Sequence, residues 1–109
     1  MSKLQSVVVQ FALALCRTHA VATRFLNSHL HMLEGYYIAS EAGRSDEAAD
    51  LLTHAYFHKD AHRRYMEQLE NLEGMVRASN LSEEVREAVG WFNTKVTDPT
   101  SGDPVYQLK

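Results

Sequence analysis

The dominant signal is an apolar row returning every four, then every three residues: Leu4, Val8, Phe11, Leu15, Thr18, Ala22, Phe25, His29, Met32, Tyr36 and Ala39. Alternating four-three spacing marks one face of a helix pressed against another helix. Residues 3–41 contain no proline and a single glycine, Gly35. In the first half Val7, Val9, Leu13 and Ala14 join the row, so that part is apolar almost all round. In the later half a second row opens: Leu26, Leu30, Leu33, Tyr37. The spacing predicts a helix over 3–41, continuous or kinked near Asn27–Ser28, and buried on more than one side.

Polar punctuation follows. Gly43 suits the left-handed position after a helix end, and Ser45 or Asp46 suits the cap of the next helix, with Asp46 and Glu47 at its positive end. A cleaner amphipathic pattern predicts a second helix over 46–77, with Leu51, Ala55, His58, His62, Tyr65, Leu69, Leu72 and Val76 on its seam. A third helix is expected over 81–96, capped by Asn80 with Glu83 three residues on, and carrying Val85, Val89 and Phe92 inward. Residues 97–109 hold both prolines and predict a non-helical tail, in which Val105-Tyr106-Gln107-Leu108 is a candidate docking arm.

The expected fold is therefore all-α and a single domain over 1–109: two long antiparallel helices, a short third helix and an extended C-terminal tail. The first helix has more apolar surface than one partner helix covers, and large exposed apolar patches are unusual on monomers. A homodimer is expected, with two hairpins forming a four-helix bundle. Leu4, Val8, Phe11, Leu15, Phe25, Tyr36 and Tyr37 are the candidate interface for the second copy or another protein, so Phe11→Glu is expected to weaken assembly.

Composition narrows the function. The 109 residues carry a formal charge of −3, with 45% hydrophobic and 23% charged positions, which suits a globular chain. The basic residues are scattered apart from Arg63 and Arg64, which argues against nucleic acid as a partner. The run from Val7 to Cys16 is shorter than a bilayer span, so no membrane partner is expected. A lone Cys16 excludes an internal disulfide and fits a reducing, cytoplasmic setting.

Six histidines supply the one candidate chemical cluster. With the turn at 42–46, residue i of the first helix should lie level with about 88 minus i of the second. His29 then meets the region of residue 59, between His58 and His62 one turn apart. Three imidazoles in a hairpin form either a polar layer that fixes register or a metal site for zinc or a similar ion.

The stretch Gly35–Leu69 resembles a ferritin or rubrerythrin hairpin in rhythm, and that resemblance implies Glu-x-x-His iron ligands on facing helices. Here the positions three before His58 and His62 are Ala55 and Lys59, and His31-x-x-Glu34 runs in the reverse order.

No nucleophile elbow or glycine-rich phosphate loop is present, and no catalytic residue or cofactor is expected. The leading expectation is a non-enzymatic helical interaction module, a small regulator or antiactivator masking a partner's surface, or a dedicated chaperone. The alternative is a metal-binding bundle using His29, His58 and His62.

Overall fold

A computed structural model describes the backbone of residues 3–95 and 105–108 and the side chains of residues 5–94 and 105–108. Helix α1 spans Lys3–Glu41, α2 Ser45–Ala78 and α3 Ser82–Lys95, and no strand is present among the described residues. The all-α expectation holds. α1 runs without a break through Asn27–Ser28, as uninterrupted apolar periodicity allows. The tail positions 96–104, which include the expected end of the third helix at Val96, lie outside the described residues, as does the side chain of the interface candidate Leu4.

Both helix ends are closed by the same device. At the end of α1, Gly43 takes φ 75°. Its N–H bonds the Ser40 carbonyl at 3.1 Å, and the Arg44 N–H bonds the Ala39 carbonyl at 2.9 Å. At the end of α2, Asn80 takes φ 56°. Asn80 N–H bonds the Arg77 carbonyl at 3.1 Å and Leu81 N–H bonds the Val76 carbonyl at 3.2 Å. These paired bonds satisfy the last carbonyls of each helix. The residue after each left-handed position also starts the next helix: the Arg44 carbonyl accepts from Ala48 and the Leu81 carbonyl from Val85. Asn80 is thus the stop of α2 rather than the cap of α3, because a short polar side chain tolerates the left-handed region. Arg44, not Ser45 or Asp46, stands at the cap position of α2, and its guanidinium pairs with Glu47 at 3.2 Å.

The chain divides into two compact units. The first combines residues 1–20 with 66–109. Its core joins Val8, Ala12 and Leu15 of α1 to Leu69 and Val76 of α2, Val85 and Val89 of α3, and Tyr106 and Leu108 of the arm. Phe11, Cys16, Met66 and Phe92 pack against it. Residues 105–108 alternate exposed, buried, exposed, buried, the pattern of an extended segment with one face down. Part of the apolar surface around the start of α1 is therefore covered by α3 and the arm, while Val7 stays 40% exposed. Val8 and Leu15, expected at an interface between chains, are core residues of their own chain, and Phe11 packs on the same core. A charge at Phe11 disrupts this core before it touches any assembly.

α1 contains a stretch within Gln5–Glu41 long and apolar enough to cross a membrane by length and composition. The core helix of a soluble protein and a signal sequence meet the same criterion, and 28% of the stretch is buried here.

The second unit, Val21–Tyr65, is an antiparallel hairpin of α1 and α2. The hydrophobic residues fully buried in it are alanines, Ala22, Ala39, Ala48 and Ala55, with Thr23 beside them. Small side chains let two helices approach closely. Gly35 shows this directly, since a Cβ there would stand 3.3 Å from Leu51 Cδ1.

Two measurements check this account. Urea unfolding of Leu15→Ala is expected to lose about 2–5 kcal/mol, the cost of emptying a fully buried leucine site. Gly43→Ala is expected to lose about 1 kcal/mol and Asn80→Gly to gain a few tenths, following the cost of the left-handed region.

Candidate functional site

The seam of the Val21–Tyr65 hairpin holds the histidines that the sequence singles out. His29 Nδ1–H donates to the Ala55 carbonyl at 2.7 Å, and His62 Nδ1–H donates to the Ala22 carbonyl at 2.8 Å. Each bond crosses from one helix to the other, one in each direction, and each fixes a tautomer with the proton on Nδ1. His58 packs edge-on against Phe25 with ring centres 5.7 Å apart. Phe25 in turn stacks on Tyr65 at 5.6 Å and 16°. The His58 Nδ1 is buried and has no hydrogen-bond partner among the described residues. His54 bonds the Asp50 carbonyl of its own helix at 2.8 Å on the exposed side.

This geometry separates the expected trio. His29 reaches Ala55 rather than the region of residue 59, one helical turn away from the register inferred from the turn. Ala22 and His29, which anchor the two crossing bonds on α1, are seven residues apart, about 10 Å along the axis. Among the described residues, no group of three or more His, Cys, Asp or Glu side chains is placed to hold a metal ion. The short polar reach of each imidazole goes instead to a backbone carbonyl exposed by the close helix approach.

A second set of chemistry-bearing side chains lies in the first unit. The Tyr106 hydroxyl donates to Glu73 Oε2 at 3.0 Å, and its ring meets His19 at 5.3 Å. Burial, reinforced by the Glu73 carboxylate, holds the Tyr106 phenol far above its usual range. Burial also pushes the Cys16 thiol up and the His19 imidazole down. Each of these groups is thereby held in its neutral form, and a neutral thiol is a poor nucleophile. The cluster acts as a latch for the arm. Asn93 Nδ2–H donates to the Tyr106 carbonyl at 2.7 Å and Arg86 Nε–H to the Leu108 carbonyl at 3.1 Å.

Between the start of α1 and α3 lies an open groove of about 470 Å³, lined by Gln5, Val8, Val9, Glu84, Glu87, Ala88 and Trp91. Its floor is apolar. Among the described residues that line it, the charged ones, Glu84 and Glu87, are acidic, and Trp91, the single tryptophan of the chain, is 56% exposed at its edge. The Trp91 ring sits edge-on to Phe92 at 5.2 Å, which fixes its tilt. Sequence reading placed Trp91 only beside the third helix's apolar face. The signal was there in Ala88, Trp91 and Glu84, Glu87 at three- and four-residue spacing, but nothing in the sequence aligned them with Val8 and Val9.

Of the remaining interface candidates, Phe25 and Tyr36 are half-buried in the hairpin and Tyr37 is 65% exposed. Compared with protein-family models, curated proteins and solved structures, the chain matches none.

The two shifted rings predict the pH limits of stability. The Tyr106 phenol is raised, so the folded chain keeps a proton that the unfolded chain releases near pH 10. Stability from this group is complete below about pH 10 and falls as pH rises beyond it. His19 is lowered, so the unfolded chain takes up a proton first, and stability falls as pH drops through about 6.5. Thermal melts of Tyr106→Phe are expected to decline less steeply above pH 10 than the parent, and those of His19→Gln less steeply below pH 6.5. Parallel curves for parent and variant in either range contradict the corresponding assignment.

Proposed function

We propose that the chain is a non-enzymatic helical interaction module that binds an amphipathic helix of another protein and masks it. It acts as a small regulator or antiactivator, or as a dedicated chaperone. The observation that carries this reading is the groove between α1 and α3, with its apolar floor and acidic wall. A helix laid in such a groove buries its apolar stripe against Val8, Val9 and Ala88 and sets lysine or arginine beside Glu84 and Glu87. Trp91 at the edge offers a large rigid surface of the kind that dominates binding energy. The partner is therefore a helix with an apolar face and basic flanks. A cytoplasmic setting suits the half-buried, unpaired Cys16.

Because Trp91 is the one tryptophan, its emission reports occupancy directly. Titration with an 18-residue amphipathic peptide of leucine and lysine is expected to shift the emission to the blue, with affinity falling as salt rises. The Glu84→Gln, Glu87→Gln variant is expected to bind about ten-fold more weakly, about 1.4 kcal/mol. A matched peptide of leucine and glutamate should give no shift. Equal binding of both peptides, or no effect of the double substitution, overturns the reading.

A further inference from the structure

The Val21–Tyr65 hairpin buries alanines at its seam and leaves Leu26, Leu30, Tyr37, Ile38, Tyr56 and Phe57 exposed. Leu26, Leu30, Leu33 and Tyr37 recur at four-three-four spacing and so share one face of α1. Leu30 is 54% exposed and Tyr37 65%, Leu26 is exposed as well, and Leu33 is half-buried. This is the spacing of a coiled-coil seam, open to solvent at Leu26, Leu30 and Tyr37.

The hairpin is also electrically polar along its length. Towards its turn lie Glu34, Glu41, Asp46, Glu47 and Asp50, offset by Arg44. Towards its open end lie Arg24, Lys59, Arg63 and Arg64, offset by Asp60. Local ion pairs do not erase this gradient. Arg44 is bound to one of the five acids, Glu47, while Asp60 is shared by both Arg63 and Arg64.

We propose that this face docks a second copy of the same chain, with the two α1 helices antiparallel about a two-fold axis between Leu30 and Leu33. Leu30 of each copy then meets Leu33 of the other, and Leu26 meets Tyr37. The same rotation lays the acidic turn end of one hairpin over the basic open end of the other. A parallel arrangement stacks like poles instead. A row that is symmetric about its own centre, on a hairpin whose charge reverses along the same direction, fits a two-fold mate better than an unrelated helix. The four helices then enclose a core of leucine and tyrosine that one hairpin lacks. This inference concerns the hairpin and stands apart from the groove proposed to bind a basic helix.

The test uses the full chain. Sedimentation equilibrium is expected to give twice 12.4 kDa, with association weakened by raised salt and at least ten-fold by Leu30→Glu, while circular dichroism of that variant stays helical. Orientation is read by oxidation on a Cys16→Ala background. A mixture of Leu26→Cys and Tyr37→Cys chains is expected to form the mixed disulfide in preference to either homodisulfide. A 12.4 kDa species up to near-millimolar concentration overturns the proposal. A dimer indifferent to Leu30→Glu, or crosslinks pairing Leu26→Cys with itself, does so equally. If Leu30→Glu loses its helicity, Tyr37→Ser at a more exposed site replaces it under the same criteria. The leucine-lysine peptide titration on Leu30→Glu reads the groove separately, so failure of one proposal is distinguishable from failure of the other.

Discussion

Alanine at the seam of the α1–α2 hairpin is the constraint from which its other features follow. Ala22, Ala39, Ala48 and Ala55 take almost no room, so the two backbones approach closely between Val21 and Tyr65. Close approach brings carbonyls of one helix within reach of short side chains on the other. That is why His29 and His62 bond to Ala55 and Ala22 rather than to each other or to a shared ion. The larger side chains of the hairpin, such as Leu33, Leu51 and Tyr65, are half-buried, and Leu30, Tyr37 and Phe57 are exposed. Alanine burial removes little apolar area, roughly a third of what a leucine removes at about 25 cal/mol per Å². A hairpin built this way gains specificity of register but little hydrophobic stabilisation.

The first unit solves the opposite problem. There the α1 positions are Val8, Ala12 and Leu15, and larger side chains from α2, α3 and the arm interdigitate around them. Three helices and a strand-like arm are needed because the start of α1 is apolar on several sides. The arm is held by polar bonds at its two inward residues, from Asn93 to Tyr106 and from Arg86 to Leu108, so these two carbonyls are not left unsatisfied. Groups that are reactive in other settings, Cys16, His19 and Tyr106, are here held neutral by burial. On its surface, the groove between α1 and α3 has an apolar floor and acidic sides.

The turns show how local sequence carries tertiary direction. Gly43-Arg44-Ser45-Asp46-Glu47 and Asn80-Leu81-Ser82-Glu83-Glu84 are two versions of one instruction. A left-handed residue ends a helix, the next residue starts another, and serine and two acids fill its first turn. The acids favour the positive end of each new helix. In the second turn Leu81 also packs against the core, so the stop of α2 and the placement of α3 are coupled. Gly43 was legible as a stop because glycine is the usual left-handed residue. Asparagine suits both a cap and a left-handed stop, and only the φ angle of Asn80 distinguishes them.

The sequence alone determined the helical class, the three helices to within a residue or two of the described boundaries, and the seam positions, because helix periodicity is a local property of the chain. It also exposed the second row at Leu26, Leu30, Leu33 and Tyr37, since spacing survives without coordinates. Tertiary structure decided what covers each row. Whether an apolar stripe is core or open surface depends on α3 and the arm returning to Val8 and Leu15, a long-range contact that no spacing encodes. It likewise decided the fate of the histidines. Helix separation, set by alanines on both helices together, fixes whether an imidazole meets another imidazole or a carbonyl.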